Sequence, residues 1–520
     1  PSVVVENPPG RAQHRASACE LRAAHRMHLQ HGGLVRLVHI VRVDAIAHGL
    51  GRLARLEGDA GAGAPAIDVR ACAGRARCGA GGGTAAQFAR KTNRKAKITI
   101  FEKGSYPQYS KCGLPYAISG EIPKILDLIE FSEEWFKKAD IDLNLNSNVE
   151  KIDKDKKIVI AEKNNKKIEK KYDAIIISTG AKPFCPPIDN IDTKGVFTLR
   201  TIDDAKKIKN FAKKDMKATV VGAGLIGLEM ADNLFKMGLN VTIVEALENI
   251  LAKNLDKDMS KIVSKVIPDK IKIFTNHLAT KVEDKKGFIK NIKIQNKDNG
   301  EEKNVATDIL IIATGTKPET SLAEKIGCKI GKTKGIIVNN KSETNIPRVY
   351  AVGDCTEYKD YITKKPIPVG LGSIVVRQAI AAGTNAVGGK YILPNGFLNT
   401  FTSEFFDKEI AGVGLCFFNK DIDYVSAKYN GESLPHYFPG GKKISIKVYA
   451  DKKTEKIIGA QSVGDKAAQR INTFATAIMG NLEINTFRKL ETAYAPPIAP
   501  TLDVETLVCD VLNMKLKRKK

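Results

Sequence analysis

The chain has 520 residues, 43% hydrophobic and 27% charged, a globular balance with length enough for about two to four domains and a sizeable core. No apolar run approaches the ~18 residues needed to cross a bilayer, and no basic segment followed by an apolar core marks a signal peptide. Nine cysteines form no C-x-x-C pair and no zinc spacing, which excludes a disulfide scaffold and a structural zinc site and predicts a reducing, cytoplasmic setting with no metal. The net charge of +25 is spread along the chain among Asp and Glu; only the tail at 516–520 is densely basic. That pattern reads as a solvated surface rather than a nucleic-acid footprint, although a basic nucleic-acid-binding protein is the alternative from another class.

Residues 1–90 hold twelve arginines, six of the eight histidines and no lysine; the remainder holds seven arginines and every lysine. The change is abrupt enough to suggest two coding regimes joined together. Residues 1–78 therefore read as an atypical Arg/Ala/Gly-rich segment, foreign or disordered, to which no fold is assigned. The chain opens with Pro1, as a fragment would. His14, His25, His28, His31, His39 and His48 have no regular spacing, so a metal site is not expected there.

Next comes a glycine cluster, Gly79-Ala80-Gly81-Gly82-Gly83, with Ala85 to Arg90 compatible with a helix. Lys97-Ile98-Thr99-Ile100-Phe101 is a strand ending in Glu102, an acid placed to accept hydrogen bonds from a ribose diol. Gly79, Gly81 and Gly83 are candidates for a phosphate turn, but Thr84 falls where the last glycine of G-x-G-x-x-G belongs. Arg75-Ala76-Arg77-Cys78 is poor strand sequence, so the first strand of such a unit looks lost. A damaged dinucleotide unit and a plain glycine loop both remain open. Tyr109-Ser110-Lys111-Cys112-Gly113-Leu114-Pro115-Tyr116 follows. Lys111 beside Cys112 is expected to lower the thiol pKa. Position 117 is alanine, which excludes a two-cysteine redox pair within the motif.

Two apolar strands end in Thr-Gly and continue to Lys-Pro: Ala174 to Gly180, with Thr179, and Ile309 to Gly315. The echo indicates two related nucleotide-binding domains. Between them lies the strongest pattern in the chain. The strand Ala218-Thr219-Val220-Val221 leads into Gly222-Ala223-Gly224-Leu225-Ile226-Gly227, a helical run from Leu228 to Met237, and the strand Asn240 to Val244 ending in Glu245. Gly222 permits the turn, Gly224 lets a pyrophosphate approach, and Gly227 lets helix and strand pack. Glu245 suits a ribose diol and repels a 2′-phosphate, so NADH is favoured, with NADPH as the other candidate. Val349 to Val352 is a strand running into Gly353-Asp354, whose carboxylate suits either a hydroxyl chain or a turn.

Toward the C-terminus, the strand Ile444 to Tyr449 turns into Ile457 to Ala460. A helix over Ala467–Met479 then places Ile471, Phe474, Ala475 and Ile478 on one side. Such a layer calls for a partner for its apolar face, or packs only on its own chain.

From about residue 84 to 515 the chain resembles the single-cysteine pyridine nucleotide-disulfide oxidoreductases, comprising coenzyme A-disulfide reductases, NADH oxidases and NADH peroxidases. The resemblance rests on Ser110 to Tyr116, both Thr-Gly strands, Leu199-Arg200-Thr201-Ile202-Asp203-Asp204, the Gly222 motif, Ala351 to Asp354, and Ala493-Tyr494-Ala495-Pro496-Pro497. It implies an α/β fold with two Rossmann-like domains, for FAD and NAD, and an α+β dimerisation domain. The boundaries would be 79–205 with 326–392 for FAD, 206–325 for NAD(P), 393–515 for dimerisation, and a basic tail at 516–520. Cys112 would be the redox sulfur beside the flavin, Glu102 would hold the FAD ribose, and Asp354 the ribitol chain. Coenzyme A-disulfide reductases carry two tyrosines, to which Tyr494 corresponds well. Tyr437 corresponds less closely, because Phe438 stands before Pro439. The histidine usual in the first glycine motif of the oxidases and peroxidases is missing between 79 and 90, and no rhodanese-like domain follows. The expected activity is electron transfer from NAD(P)H through flavin to Cys112, reducing coenzyme A disulfide or a related small disulfide. The alternative acceptor is oxygen or peroxide.

Overall fold

The computed structural model describes residues 68–73, 79–414 and 422–518. These fall in one compact unit, Pro65–Lys520. The expectations for residues 1–67 and 74–78, the six histidines and the sequence at 75–78 included, lie outside the described residues, as does the end of the basic tail.

The described residues begin with β1 (Asp68–Ala73), α1 (Ala80–Thr92), β2 (Lys97–Glu102), α2 (Leu114–Ser119), β3 (Ile141–Asn144), β4 (Ala174–Ile177) and the short β5 (Ala181–Pro183). The chain crosses to a second sheet through β6 (Val196–Thr198) and α3 (Ile202–Phe211). That sheet then continues with β7 (Lys217–Val221), α4 (Leu225–Lys236), β8 (Asn240–Val244), α5 (Lys257–Ser264), β9 (Lys272–Phe274) and β10 (Ile309–Ile312). After β11 (Thr316–Pro318) it returns to the first sheet with β12 (Val349–Ala351) and α6 (Gly372–Ala386).

The first sheet is parallel in the order β12-β4-β1-β2-β3 and the second is parallel in the order β6-β10-β7-β8-β9. Each centres on the strand before its glycines, with an acid-ended strand on one side and a Thr-Gly strand on the other. Ile175, Ile176, Ile177, Ile309, Leu310 and Ile311 are fully buried, as expected of parallel strands covered on both faces. The Thr-Gly echo has a structural outcome. β5 and β11, which follow the two Thr-Gly turns, pair antiparallel with Lys182 opposite Lys317. Phe184 N donates to Gly315 O and Glu319 N to Gly180 O, both at 2.9 Å. The repeated motifs thus close on each other as a ribbon between the sheets.

Several expectations are corrected here. The first strand is not lost: β1 pairs with Lys97–Glu102 and Ala174–Ile177, so the first sheet starts at 68 rather than 79. It was hidden because it lies further upstream than a tight strand-turn-helix unit predicts. α1 starts five residues before the expected Ala85, and α4 starts at Leu225 rather than Leu228, because helices extend back to their glycine caps.

The C-terminal domain is an antiparallel sheet of β13 (Phe401–Phe405), β14 (Lys408–Gly414), β15 (Tyr424–Glu432), β16 (Lys443–Asp451) and β17 (Ile457–Gly464), in the order β13-β14-β17-β16-β15. α7 (Ala467–Met479) and α8 (Val504–Arg518) cover it. Ile471, Phe474 and Ile478 of α7 are buried in one core with Val448, Ala460, Val508 and Leu512. Each such side chain contributes about 1.5–3 kcal/mol. Ile471, Phe474 and Ile478 are therefore covered within their own chain, as in the second of the two readings above, while Ala475 is only partly buried. Among the described residues, no helix is long and apolar enough to cross a membrane.

Candidate active site

The start of α1 is capped by Gly79 in extended backbone (φ −76°, ψ −169°) with no side-chain cap. Gly224 caps α4 in nearly the same conformation (φ −78°, ψ −173°), also uncapped by any side chain. Both helices thus present open amides and the positive end of the helix dipole. Aligning the two caps pairs Gly82 with Gly227, three residues into each helix. That revises the register of the first cluster. Gly79 moves from the first to the second motif position, Gly82 takes the position of the last motif glycine, and Gly81 and Gly83 make other contacts. A Cβ on Gly81 would lie 3.1 Å from Val352, and one on Gly83 1.8 Å from Gln108 Oε1.

Gln108 Oε1 and Ser178 Oγ are buried without a hydrogen-bond partner among the described residues. Buried polar atoms in that condition are costly and uncommon. Two of them beside an uncapped helix N-terminus fit a bound polar ligand. A cavity of about 370 Å³ opens alongside, lined by Glu102, Tyr109, Lys111, Thr179, Gly180 and Arg200 among others. Glu102 is 1% exposed and its Oε1 accepts from Gly104 N at 2.6 Å. Thr179 Oγ1 donates to the Glu319 carbonyl, and Arg200 pairs with Asp354. The first Thr-Gly strand, the acid-ended strand and the Leu-Arg-Thr segment therefore converge on one cleft.

Ser110 N donates to Leu128 O at 2.8 Å, anchoring the loop that carries Cys112, and α2 begins two residues after Cys112 with Pro115 in its first turn. Cys112 is an exposed residue with a free thiol. Burial pushes its thiol pKa up, Glu229 and Asp354 add to that, and Lys111 and Arg200 oppose it. The expected lowering by Lys111 is present but outweighed.

In the second unit, Gly222 has φ +104°, and a Cβ there would come within 2.5 Å of Ala313 O. A Cβ on Gly227 would lie 1.9 Å from Gly222 O, while one on Gly224 would meet nothing within 4 Å. Turn, open approach and close packing are thus divided as the spacing predicts. Glu245 accepts from Ala223 N at 2.6 Å and Leu247 N at 2.8 Å, which fixes its carboxylate beside the glycine turn.

Far along the chain, Tyr437 and Tyr494 come together, their hydroxyls 2.8 Å apart. They are 60% and 47% exposed. Hydrogen bonding to Tyr494 pushes the Tyr437 phenol up.

Residues 78–386 match the family described as pyridine nucleotide-disulphide oxidoreductase, and 401–505 match its dimerisation domain. The chain belongs to this family. An NADH oxidase of Methanocaldococcus jannaschii is 36% identical over 452 residues, covering 85% of this chain and 98% of that protein. A coenzyme A disulfide reductase of Staphylococcus haemolyticus is 31% identical over 438 residues, covering 82% and 96%. The solved structure of a NAD-dependent persulfide reductase from A. fulgidus matches with a TM-score of 0.81 at 32% identity, covering 87% of this chain and 84% of that one. The oxidoreductase is accordingly a mixed α/β protein with nucleotide-binding domains and a C-terminal dimerisation domain, of a family that uses FAD and NAD(P)H.

The oxidoreductase's residues fit both groups. The orphaned Ser178 and Gln108 atoms and the Glu102 cavity suit FAD, and the open Gly224 amides with Glu245 suit a pyridine nucleotide. Sequence reasoning missed Gly82, Gln108, Ser178 and Glu229. Gly82 was obscured by its glycine neighbours. Gln108 carries no motif, and Ser178 stands inside its Thr-Gly strand beside the more prominent Thr179. Glu229 looks like an ordinary helix residue until the fold places it near Cys112. Among the described residues no group of His, Cys, Asp and Glu could hold a metal ion.

Proposed function

We propose that this FAD-dependent oxidoreductase passes electrons from NADH to Cys112 and there reduces coenzyme A disulfide or a related low-molecular-weight disulfide. The carrying observation is the exposed Tyr437–Tyr494 hydroxyl pair, brought together across 57 residues. Reducing a disulfide releases a thiolate, which needs a proton donor, and a phenol pushed up by its neighbour keeps its proton at neutral pH. The Cys112 thiolate attacks one sulfur of the disulfide RSSR. The S–S bond breaks, the leaving thiolate takes a proton from the hydrogen-bonded Tyr437–Tyr494 pair, which solvent then re-protonates, and Cys112 is left in a mixed disulfide. FAD, when bound, supplies the two-electron relay from NADH to sulfur. Two electrons then cleave the mixed disulfide, returning the Cys112 thiolate and releasing the second thiol. The balance is NADH, one proton and RSSR going to NAD⁺ and two RSH.

In this reading Gly79 and Gly82 with Ser110, Thr179 and Gly180 line the flavin site, Glu102 holds the FAD ribose, and Arg200 orients Asp354 toward the ribitol chain. Gly222, Gly224, Gly227, Glu245 and Gly315 form the NADH side. The enzyme acts as a homodimer in which Tyr437 and Tyr494 reach the second copy's Cys112. Exposed Met479, Leu490, Ile498 and Leu502 on the C-terminal domain support that contact. Cys112, Cys185, Cys328, Cys355 and Cys509 are free thiols, which supports a cytoplasmic setting.

The second reading, oxygen as acceptor, is favoured by the 36% identical relative named NADH oxidase. Anaerobic reduction with NADH, followed by coenzyme A disulfide and separately by oxygen, decides between them. Faster reoxidation by the disulfide, with two thiols released, is expected. Slow disulfide and fast oxygen reoxidation would establish the oxidase instead.

A further inference from the structure

Three parts of the molecule meet around Glu229, whose charge bears on Cys112. Ser119 at the end of α2 donates through Oγ to Asn233 Oδ1 of α4 at 2.6 Å, and Asn233 Nδ2 donates to the Glu229 carbonyl at 2.8 Å. Glu229 lies on α4, five residues past the Gly224 cap. Its Oε1 accepts from Ser403 Oγ at 2.5 Å, and Ser403 is on β13, the first strand of the C-terminal domain. The bond spans 174 residues of sequence. The same sheet grips the second nucleotide-binding domain at another point. Asp256, the N-cap residue of α5, donates its N–H to Gln461 Oε1 at 3.0 Å and accepts from Gln461 Nε2 at 2.9 Å. Lys447 Nζ lies 2.6 Å from Asp256 Oδ2, and the Tyr449 hydroxyl bonds the same carboxylate. With Asp256, Gln461 and Tyr449 all buried, β13 and α4 are held in fixed relation.

We propose that Ser403 is a positioning residue: by holding the Glu229 carboxyl, the C-terminal domain sets the charge beside the Cys112 sulfur and hence its reactivity. The charged groups that face Cys112 are Glu229 from α4, Asp354 after β12, Lys111 in its own loop and Arg200 before α3. Burial and the two acids disfavour the thiolate; the two bases favour it. Burial pushes the Glu229 carboxyl up, and the Ser403 bond pulls it back toward the ionised form. Tyr116 of α2 also faces Glu229, together with Glu121, Glu404 and Asp232; burial pushes its phenol far up, so it stays neutral. Removing the Ser403 hydroxyl lets Glu229 keep its proton to higher pH and frees its side chain. The retained proton takes negative charge away from the sulfur. Other contacts at this junction tie the elements together, whereas the Ser403 bond alone acts on the charge.

The inference rests on Cys112 being the redox sulfur and is independent of the acceptor. The test is the pH profile of iodoacetamide alkylation of Cys112, read by peptide mass spectrometry on the full-length holoenzyme after reduction and desalting. Ser403→Ala and Glu229→Gln are expected to move the midpoint to lower pH. Ser403→Thr, which keeps the hydroxyl, should stay at the wild-type midpoint. The double variant Ser403→Ala/Glu229→Gln should move no further than Glu229→Gln alone. A wild-type midpoint for Ser403→Ala, or additive shifts in the double variant, overturns the proposal. Should Ser403→Ala not fold, an unmoved midpoint in Glu229→Gln overturns it equally. Retained disulfide reduction in Cys112→Ser would instead sink the proposed function while leaving the measured linkage standing.

Discussion

The two nucleotide-binding sheets have the same strand order yet differ at the helix start, where ligand chemistry is set. In the second sheet the last motif glycine sits against backbone: a Cβ on Gly227 would lie 1.9 Å from Gly222 O. In the first sheet the corresponding Gly82 faces a side chain, with Ser178 Oγ 2.8 Å from its would-be Cβ. A backbone carbonyl inside a tight turn cannot yield, whereas a serine rotor can. The acids at the strand ends differ too. Glu102 is buried beside the cavity, while Glu245 is half-buried and held by two amides. The shared sheet is enforced by apolar strands, and the glycine motif is enforced only where backbone leaves no room.

The same substitution made in both halves should break their equivalence. Gly227→Ala should cost on the order of 2–4 kcal/mol of stability and abolish NADH reduction of bound flavin. Gly82→Ala should cost about 1 kcal/mol and retain it. Thermal melts with stopped-flow reduction check both, and equal losses would refute the distinction.

The acids offer a finer contrast. Glu102→Gln should lower the flavin content of the purified protein and leave coenzyme preference alone. Glu245→Gln should leave flavin content alone and narrow the NADH preference by about 1–3 kcal/mol. Comparing kcat/KM for NADH and NADPH reads the second effect, and a wild-type preference for NADPH would count against it.

Tyr494 tests whether the C-terminal domain serves a second copy's site. Tyr494→Phe should slow disulfide turnover about 10-fold or more while NADH still reduces the flavin at the wild-type rate. Mixing that variant with Cys112→Ser under subunit exchange should restore part of the activity. No recovery, or full activity in a strict monomer by light scattering, would rule the arrangement out.

The smallest effect lies outside both sheets. Burial, then Asp503, pushes the Glu505 carboxyl up to about 8, from an ordinary 4.5. The folded protein therefore holds a proton that the unfolded chain has released. This contribution to stability is fully present below about 4.5 and is lost as pH rises through about 8. Glu505→Gln should flatten the fall in Tm between these limits without touching either nucleotide site. An unchanged slope would contradict the assignment.

Much of the second sheet was legible because its signals are local. The strand Asn240–Val244, the glycine turn and Glu245 lie within one short unit. The helix Ala467–Met479 was legible from spacing alone, but spacing could not say what covers Phe474, because its own sheet and an outside partner present the same apolar demand. β1 was missed because it stands apart from the glycines it serves. Ser403 and Glu229 were invisible for a stronger reason. Neither sits in an unusual sequence, and only the docking of β13 on α4 brings them together. The pairing of Tyr437 with Tyr494 came from the resemblance, and their meeting at 2.8 Å is a product of the fold.

The central claim is that electrons reach Cys112 through the flavin. It is tested most directly by anaerobic NADH titration of the wild type and Cys112→Ser, both with FAD bound and with the sulfur oxidised beforehand in the wild type. The wild type should consume about two equivalents of NADH per flavin before the flavin is fully reduced, one for the flavin and one for the sulfur. Cys112→Ser should consume about one. Equal consumption by both proteins, with disulfide reduction retained in the variant, would contradict the account.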